Sequence, residues 1–256
     1  MEKLIIHEPV RIFQNDRFID IEKSICIERN IDIFINEIYY MSLMCLPEKL
    51  DDLIVGFLFN NDIIEKYSDI KKIKILKERI NVLLNKPFKI DADKKFTLTS
   101  GCGNAMTSFD LKNLASDRKN NLQIKLHSEQ IIELMNQFNK KSDLFLETGC
   151  VHSCALAEED KILFSIDDIG RHNSLDKIVG NAMINNIDLS SKILLTTGRL
   201  SFEMIAKVIK CNIPIIISRS APTCYAVKLA AKYNVTMIGF ARGKKFNVYT
   251  GFERIK

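Results

Sequence analysis

The sequence predicts an α/β protein, with a three-layer α/β/α domain in its C-terminal part and a smaller, β-rich α+β domain before it. One observation is the distribution of glycine: the first hundred residues contain only Gly56, and the other nine glycines occur from Gly101 onward. A second is the alternation, after about residue 126, of helix-length segments with short, wholly apolar strands. Such strands are typical of a sheet covered by helices on both faces. We therefore predict two domains, 1–125 and 126–256.

The N-terminal part is predicted to form half-buried strands, because its apolar and polar residues alternate. The predicted strands are 17–21, 25–27, 32–36, 38–43, 72–76 and 79–84. A helix is predicted to open at Pro47, because Leu50, Leu53, Ile54, Phe57 and Leu58 recur at a helical spacing. The result is an α+β arrangement in which β structure predominates.

The C-terminal part alternates helices and strands. A first helix is predicted to begin at Ser128 and to bury Ile131, Ile132, Leu134, Met135 and Phe138. The other predicted helices are 173–183, 201–210 and 223–233, and the predicted strands are 153–156, 161–165, 192–196, 214–218, 235–240 and 247–250. Apolar strands separated by ten-residue helices predict a sheet with two covered faces.

Composition excludes several classes of protein. Of the 256 residues, 46% are hydrophobic and 27% are charged, which is typical of globular proteins and excludes a disordered chain. No apolar run approaches the roughly 20 residues of a membrane helix, and the N-terminus does not resemble a signal peptide, so we expect a cytoplasmic protein. The net charge of +5 is spread over scattered lysines among 32 acidic residues, so no nucleic-acid partner is expected. Seven cysteines, an odd number, indicate free thiols in a reducing compartment.

Cys102, in the segment Ser100-Gly-Cys-Gly103, is the residue whose sequence setting most favours chemical reactivity. Glycine on both sides gives the backbone unusual freedom and leaves the sulfur exposed. A cysteine that relays sulfur needs such a setting, because it must reach a donor and then an acceptor. A turn that happens to contain a cysteine is the alternative interpretation.

Polar and cationic side chains follow the predicted strand ends in the C-terminal part. The segments are Asp167-Asp-Ile-Gly-Arg-His172, Thr196-Thr-Gly-Arg-Leu-Ser201, Ser218-Arg-Ser220 and Phe240-Ala-Arg-Gly-Lys-Lys245. Ligands of open α/β sheets lie beyond strand C-termini, next to helix N-termini, so these segments predict one pocket for a polar, phosphorylated ligand. The candidate ligand-binding residues are Arg171, His172, Ser201 and Ser220. Capped turns with surface salt bridges are the alternative.

The segment Cys150-Val-His-Ser-Cys154 raises the question of zinc, because it offers three ligand atoms within five residues. A structural zinc site usually draws on two separated ligand pairs, and no second Cys/His pair with that spacing occurs in the sequence. We therefore expect no metal site there, and His152 is instead a candidate donor in the pocket.

Six segments, in order, resemble the formate dehydrogenase accessory sulfurtransferase family (FdhD). They are Ser100-Gly-Cys-Gly103, Thr148-Gly-Cys-Val-His152, Asp167-Asp-Ile-Gly-Arg-His172 with Asp176-Lys177, Gly198-Arg-Leu-Ser-Phe-Glu-Met204, Ser220-Ala-Pro-Thr223, and Gly239-Phe240 leading to Val248-Tyr-Thr250. The resemblance spans about 100–250. It implies a C-terminal domain of cytidine-deaminase-like fold, although the chain lacks the His-x-Glu and Pro-Cys-x-x-Cys ligand set of the deaminases, which disfavours deamination.

The resemblance also implies a function. Members of the family take sulfane sulfur from a cysteine desulfurase and pass it to molybdenum or tungsten in the bis-guanine-dinucleotide cofactor, which formate dehydrogenase then receives. By position, Cys102 matches the persulfide-bearing cysteine, and the cofactor-binding segment matches Phe240, Ala241, Arg242, Gly243, Lys244 and Lys245. Many members have a second cysteine in the loop, at the position where this chain has Ala105. The chain also departs from the family at Gly243 and Lys244, which do not follow the usual Pro-Gly order.

The resemblance implies a sulfurtransferase that acts as a homodimer, with the molybdenum bis(molybdopterin guanine dinucleotide) cofactor as bound substrate and guanine nucleotides as fragments that bind the same site. The expected partners are a cysteine desulfurase and formate dehydrogenase. The alternative from another class is a chaperone that binds the cofactor and carries it to formate dehydrogenase without sulfur chemistry.

Overall fold

The structure, a computed structural model, describes residues 4–89 and 124–256 together with the backbone of two short strands between them. Cys102 and Ala105 therefore lie outside the described residues. The strands are β1 (Ile5–Gln14), β2 (Arg17–Cys26), β3 (Arg29–Ile35), β4 (Ile38–Cys45), β5 (Ile70–Leu76), β6 (Arg79–Leu84), β7 (Thr97–Leu98), β8 (Met106–Thr107), β9 (His152–Glu158), β10 (Lys161–Asp168), β11 (Ile193–Thr196), β12 (Ile215–Ser218), β13 (Thr236–Arg242) and β14 (Lys245–Thr250). The helices are α1 (Leu50–Asn60), α2 (Ser128–Phe138), α3 (Asp143–Thr148), α4 (Arg171–Ile184), α5 (Phe202–Lys210) and α6 (Cys224–Lys232).

The N-terminal part contains a ribbon and a sheet. Strands β1 and β2 pair antiparallel from Ile5↔Cys26 to Gln14↔Arg17. A second sheet has the order β4-β3-β6-β5, in which β3 and β6 run parallel. Apolar side chains of this sheet and of α1 form one core, which includes Ile31, Ile33, Leu53, Phe57 and Ile80.

A six-stranded sheet organises the C-terminal part, in the order β10-β9-β11-β12-β13-β14. Its central strands β11, β12 and β13 run parallel, and the outer strands pair antiparallel. One face packs against α4, α5 and α6 in a core that includes Leu175, Met204 and Leu229. The other face packs against α2 through residues such as Ile131 and Leu134. The predicted three-layer arrangement is confirmed.

Helices α1 and α4 join the two parts at very close range. A Cβ atom on Gly56 would lie 1.8 Å from the backbone oxygen of Asp176, and one on Gly180 would lie 1.8 Å from the backbone oxygen of Asp52. Only glycine allows two helix backbones to approach this closely. The isolated Gly56 of the first hundred residues therefore has a packing role.

Charged side chains buried beside this contact are paired. Lys207 Nζ lies 2.7 Å from Asp176 Oδ1, and the same carboxylate accepts a 2.6 Å hydrogen bond from Asn60 of α1. Lys177 Nζ lies 2.7 Å from Asp168 Oδ2. Buried charges need such partners, so these pairs fix α4 against its neighbours.

Several sequence predictions need correction. The helix predicted from Pro47 begins at Leu50, because Lys49 adopts a left-handed conformation with φ 51°. Strand β1 was not predicted; it contains Pro9, which is tolerated in a two-stranded ribbon. The predicted strands 17–21 and 25–27 are not separate, because the single strand β2 runs through both and ends at Cys26. Helix α3 was not predicted, because six residues show too little periodicity to detect.

The remaining predicted helices and strands of the C-terminal part are confirmed, with ends that shift by a few residues. In the described part of the chain the cysteines are free thiols, as expected. None of the helices there has the length and apolar character needed to cross a lipid bilayer. The boundary between 1–125 and 126–256 stays a prediction.

Candidate functional site

Polar groups collect at one edge of the six-stranded sheet. The parallel strands β11, β12 and β13 end there at Thr196, Ser218 and Arg242. Strand β9 is antiparallel to β11, so its first residue, His152, lies at the same edge. This is the edge at which α/β sheets bind ligands.

Hydrogen bonds hold the turns beyond β11 and β12 together. The Ser218 hydroxyl donates to the Gly198 carbonyl at 2.6 Å, and the Ser220 hydroxyl donates to the Thr197 carbonyl at 2.8 Å. Arg242 Nε donates to the Arg219 carbonyl at 2.9 Å. The three strand ends therefore form one preorganised surface.

A pocket of about 280 Å³ opens on this surface. It is lined by Phe145, Gly149, Cys150, Val151, His152, Ile169, Thr197, Arg219, Ser220 and Arg242. Among the described residues, the lining groups include two guanidinium groups, two hydroxyls and an imidazole, and none of these lining residues carries a carboxylate. Arginine binds phosphate oxygens well, so the pocket suits an anionic ligand.

His152 is fixed in a cationic setting. Its Nδ1 lies 3.3 Å from the Thr197 hydroxyl oxygen, which also accepts a 3.0 Å hydrogen bond from the backbone N–H of Ser153. Burial, followed by the charges of Arg171 and Arg199, lowers the pKa of His152 below its ordinary value. Its ring is therefore neutral at pH 7, and the surroundings disfavour a further positive charge.

Two of the predicted ligand-binding residues are buried at the N-terminal ends of helices. His172 is in the first turn of α4, and Ser201 precedes α5. Neither ring nitrogen of His172 has a hydrogen-bond partner among the described residues. The same is true of the Ser201 hydroxyl. Helix N-termini attract anions, and unsatisfied buried groups are costly, so both residues are suited to a ligand.

The buried imidazole of His172 leads to a prediction about pH. Burial, with the charges of Lys207, Arg171 and His152, lowers its pKa from 6.5 to about 2. Below pH 6.5 the unfolded chain takes up a proton that the folded protein does not. The free energy of unfolding should therefore fall with decreasing pH, by up to about 1.4 kcal/mol per pH unit; above pH 6.5 this contribution is constant.

His172→Asn should remove that part of the pH dependence. Urea unfolding of wild type and variant between pH 7 and pH 5 measures it, and the wild-type curve should fall more steeply below pH 6.5. Parallel curves would mean that His172 is not held neutral in the folded protein.

The structure places the other predicted residues as follows. Arg242 and Ser220 line the pocket. Phe240 is 43% exposed, with φ 52°, and its N–H donates to the Ser220 carbonyl at 3.1 Å. The side chain of Ala241 is buried in the core, which leaves only its backbone for a ligand. Gly243, Lys244 and Lys245 are exposed at the β13–β14 turn, beyond the pocket lining.

Arg171 lies beside the pocket rather than in its lining. Its side chain packs against Gly198, since a Cβ atom added to Gly198 would lie 2.8 Å from Arg171 Cβ. Sequence reasoning did not select Thr197, Arg219 or Cys150 as site residues, although all three line the pocket. Thr197 and Arg219 lie inside the strand-end segments, so position relative to a strand end was the available signal. Cys150 follows a helix that the sequence did not reveal.

Zinc ligation by the segment from Cys150 to Cys154 finds no support in the geometry. Cys154 is fully buried and donates to the Thr196 hydroxyl at 3.4 Å, whereas Cys150 is exposed. Within residues 4–89 and 124–256, no group of three or more His, Cys, Asp or Glu side chains is arranged to hold a metal ion.

Comparisons with known proteins agree with the resemblance seen in the sequence. The FdhD/NarQ family model matches residues 26–256. The sulfur carrier protein FdhD of Listeria monocytogenes serovar 1/2a is 36% identical over 258 residues, which cover 98% of this chain and 99% of the relative. The sulfur carrier protein FdhD of Wolinella succinogenes is 40% identical over 243 residues, which cover 91% of this chain and 83% of the relative.

A solved structure is also similar. The crystal structure of a protein described as a formate dehydrogenase accessory protein, from Desulfotalea psychrophila, matches with a TM-score of 0.82 and 25% identity. The match covers 99% of this chain and 100% of that chain. With a family match over most of its length and relatives above 30% identity, this chain belongs to the FdhD/NarQ family.

Proposed function

We propose that this protein is a sulfur carrier for the maturation of formate dehydrogenase. It accepts sulfane sulfur from a cysteine desulfurase as a persulfide on Cys102 and transfers it to the molybdenum or tungsten bis-guanine-dinucleotide cofactor. The observation that carries the proposal is the pocket at the ends of β11, β12 and β13, lined by Arg219, Arg242 and Ser220, in a chain whose relatives are called sulfur carrier proteins.

The donors at this edge suit a dinucleotide. Each pyrophosphate needs cations and N–H or O–H donors, and the guanidinium groups of Arg219 and Arg242 supply the former. The unpartnered polar atoms of His172 and Ser201 supply further hydrogen-bonding capacity at two helix N-termini. A ligand that reaches them would satisfy groups that are otherwise buried without a partner.

The sulfur step depends on Cys102. Its thiolate attacks the outer sulfur of the desulfurase persulfide, and the desulfurase cysteine leaves as a thiolate. The outer sulfur is then bonded to Cys102. When that S–S bond breaks, Cys102 leaves as a thiolate and the sulfur passes to the metal centre of the cofactor substrate, which would supply the two electrons that reduce it to sulfide. The protein acts in this sense as a sulfurtransferase, and its single loop thiol, with Ala105 nearby in sequence, is sufficient for a persulfide.

The proposal extends to the organisation of the protein. We take 126–256 as the cofactor-binding domain, with a cytidine-deaminase-like fold, and 1–125 as the domain that ends in the Cys102 loop. The protein functions in the cytoplasm as a homodimer. Its partners are the desulfurase that supplies sulfur and the formate dehydrogenase that receives the sulfurated cofactor.

Removing the cations of the segment from Phe240 to Lys245 should weaken ligand binding. Arg242 lines the pocket, and Lys244 and Lys245 contribute positive charge beside it. We expect the triple change of Arg242, Lys244 and Lys245 to Ala to raise the Kd for guanosine diphosphate by roughly tenfold or more, because charge-assisted hydrogen bonds are lost. The difference from wild type should be largest at low salt, where screening is weakest. Calorimetry with the whole protein measures it.

A matched control removes three cations elsewhere. Lys71, Lys161 and Lys232 are exposed and lie outside the pocket lining, so their change to Ala should leave the Kd nearly unaltered. Both triple variants should still load sulfur on Cys102. Normal nucleotide binding by the Arg242 triple variant, or its failure to load sulfur while folded, would contradict the role given to this segment.

A further inference from the structure

A pair of thiols, Cys26 and Cys150, lies at the rim of the pocket and has no role in the function described so far. Cys26 is the last residue of β2, and Cys150 follows Gly149, the left-handed residue that ends α3. Both residues contact the Thr148 hydroxyl oxygen, Cys26 through its sulfur and Cys150 through its backbone N–H. Cys150 is exposed and lines the pocket, whereas Cys26 is only 9% exposed. Residues far apart in sequence therefore place two sulfurs together beside the ligand site.

Side-chain contacts hold this pair in place. The Thr148 hydroxyl donates to the Leu144 carbonyl at 2.7 Å, and its oxygen lies 3.1 Å from Cys26 Sγ. Because that hydroxyl proton is already engaged, the oxygen accepts the Cys26 S–H, and it also accepts the Cys150 N–H at 3.3 Å. The Ser24 hydroxyl donates to Glu147 at 2.6 Å and so fastens β2 to α3.

The two thiols differ in accessibility, and burial changes the acidity of Cys26. Burial is the main cause that raises the pKa of Cys26, to about 11, and the neighbouring Cys150 and Asp167 add to it. Cys26 therefore stays protonated near neutral pH, and its sulfur is shielded from solvent. Cys150 is the sulfur that a donor arriving at the pocket meets first.

We propose that Cys150 is a second sulfane-sulfur acceptor and that Cys26 resolves the persulfide formed on it. The donor is a persulfide or polysulfide, the class of reagent that the sulfur-carrier function proposed above already requires. The inference rests on that function only for the class of donor; it does not depend on Cys102.

Both steps balance. The Cys150 thiolate attacks the outer sulfur of the donor, a new S–S bond forms, the donor's S–S bond breaks, and the donor leaves as a thiolate without net oxidation. Cys26 then attacks the inner sulfur on Cys150, and its proton passes to the departing terminal sulfur. The terminal sulfur leaves as hydrosulfide, reduced by two electrons, while the two thiols are oxidised to the Cys26–Cys150 disulfide. A dithiol reductant restores both thiols.

The Cys26–Cys150 pair lies at the pocket rim, so its chemistry would act on the pocket. Hydrosulfide would be released at a pocket that Arg219 and Arg242 also line, where an anionic cofactor is proposed to bind. Because β2 carries one of the two thiols and α3 precedes the other, the disulfide would also tie the β1–β2 ribbon to the pocket rim.

The test uses full-length Cys102→Ser protein, so that the loop thiol cannot contribute. It is treated without oxygen with sodium tetrasulfide, alkylated and digested. With Cys26 intact, mass spectrometry should find the peptides of Cys26 and Cys150 joined by a disulfide, with about one sulfide released per chain. With Cys26→Ser added, a mass gain of about 32 Da, one sulfur, should accumulate on Cys150 instead.

Two controls make the outcome decisive. Cys224 is also exposed but does not line the pocket, so Cys224→Ser should change neither result. Cys150→Ala, at an exposed position, should abolish both the disulfide and the sulfide release. Unmodified Cys150 in the doubly substituted protein, or equal persulfide levels with Cys26→Ser and Cys224→Ser, would overturn the proposal.

The experiments distinguish failure of this second site from failure of the proposed carrier function. If wild-type protein loads sulfur on Cys102 from a desulfurase while Cys150 stays unmodified in the tetrasulfide experiment, the second site is wrong and the carrier function remains. If Cys150 accepts sulfur and Cys102 does not, the carrier function assigned to Cys102 is wrong and the second site remains.

Discussion

Replacing Cys102 with serine should abolish sulfur transfer and leave the protein folded. A thiolate is needed to attack sulfane sulfur, and a serine hydroxyl neither ionises near neutral pH nor forms a persulfide. The cysteine lies between glycines in a polar segment, so little packing energy is expected to depend on it. We expect formate dehydrogenase activity to fall to background in cells that lack the native protein, and the unfolding free energy to change by less than about 0.5 kcal/mol.

Cys224→Ser is the matched control, because it removes an exposed thiol that is outside the pocket lining and should keep full activity. Cys45→Ala and Cys211→Ala should also keep activity, with some loss of stability, because both side chains are buried. A Cys102→Ser protein that restores formate dehydrogenase would favour the alternative function, a chaperone that carries the cofactor without sulfur chemistry.

The second large effect is expected for Gly56→Ala. The added Cβ would lie 1.8 Å from the backbone oxygen of Asp176 and 2.8 Å from the backbone nitrogen of Gly180. Backbone atoms of α4 cannot turn away as a flexible side chain can, so the two helices must separate. That movement also disturbs the hydrogen bond from Asn60 to Asp176. We expect a loss of at least about 3 kcal/mol in the free energy of unfolding, measured by urea denaturation.

Asp51→Ala provides the comparison on the same helix. Asp51 is exposed, and its replacement should cost only a few tenths of a kcal/mol from the lost charge at the helix N-terminus. Gly180→Ala should be as damaging as Gly56→Ala, because its Cβ would meet the backbone oxygen of Asp52. A Gly56→Ala protein of wild-type stability would show that α1 and α4 do not pack this closely.

The C-terminal architecture could be predicted because its signals are local. Strands such as β11 and β12 are apolar at nearly every position, and the intervening helices are long enough to show their periodicity. The polar groups at the ends of these strands could be placed at one edge of the sheet, because parallel strands end there together. Ser220 and Arg242 were found in this way and line the pocket.

The rest of the site depends on contacts between distant segments. Cys150 reaches the pocket because the short helix α3 docks against β2, and six residues leave no readable pattern. Asp168 stood in a segment interpreted as ligand-binding, but it is fully buried and paired with Lys177. Sequence alone could not separate a carboxylate that faces a ligand from one that is buried in an ion pair, since both follow a strand.

The central claim is that Cys102 carries sulfur as a persulfide. The most direct measurement is mass spectrometry of the full-length protein after incubation with a cysteine desulfurase and cysteine, with the modified residue located after digestion. We predict a gain of about 32 Da, one sulfur, on the peptide that contains Cys102. The absence of any gain on that peptide, in protein that still binds guanosine diphosphate, would contradict the claim.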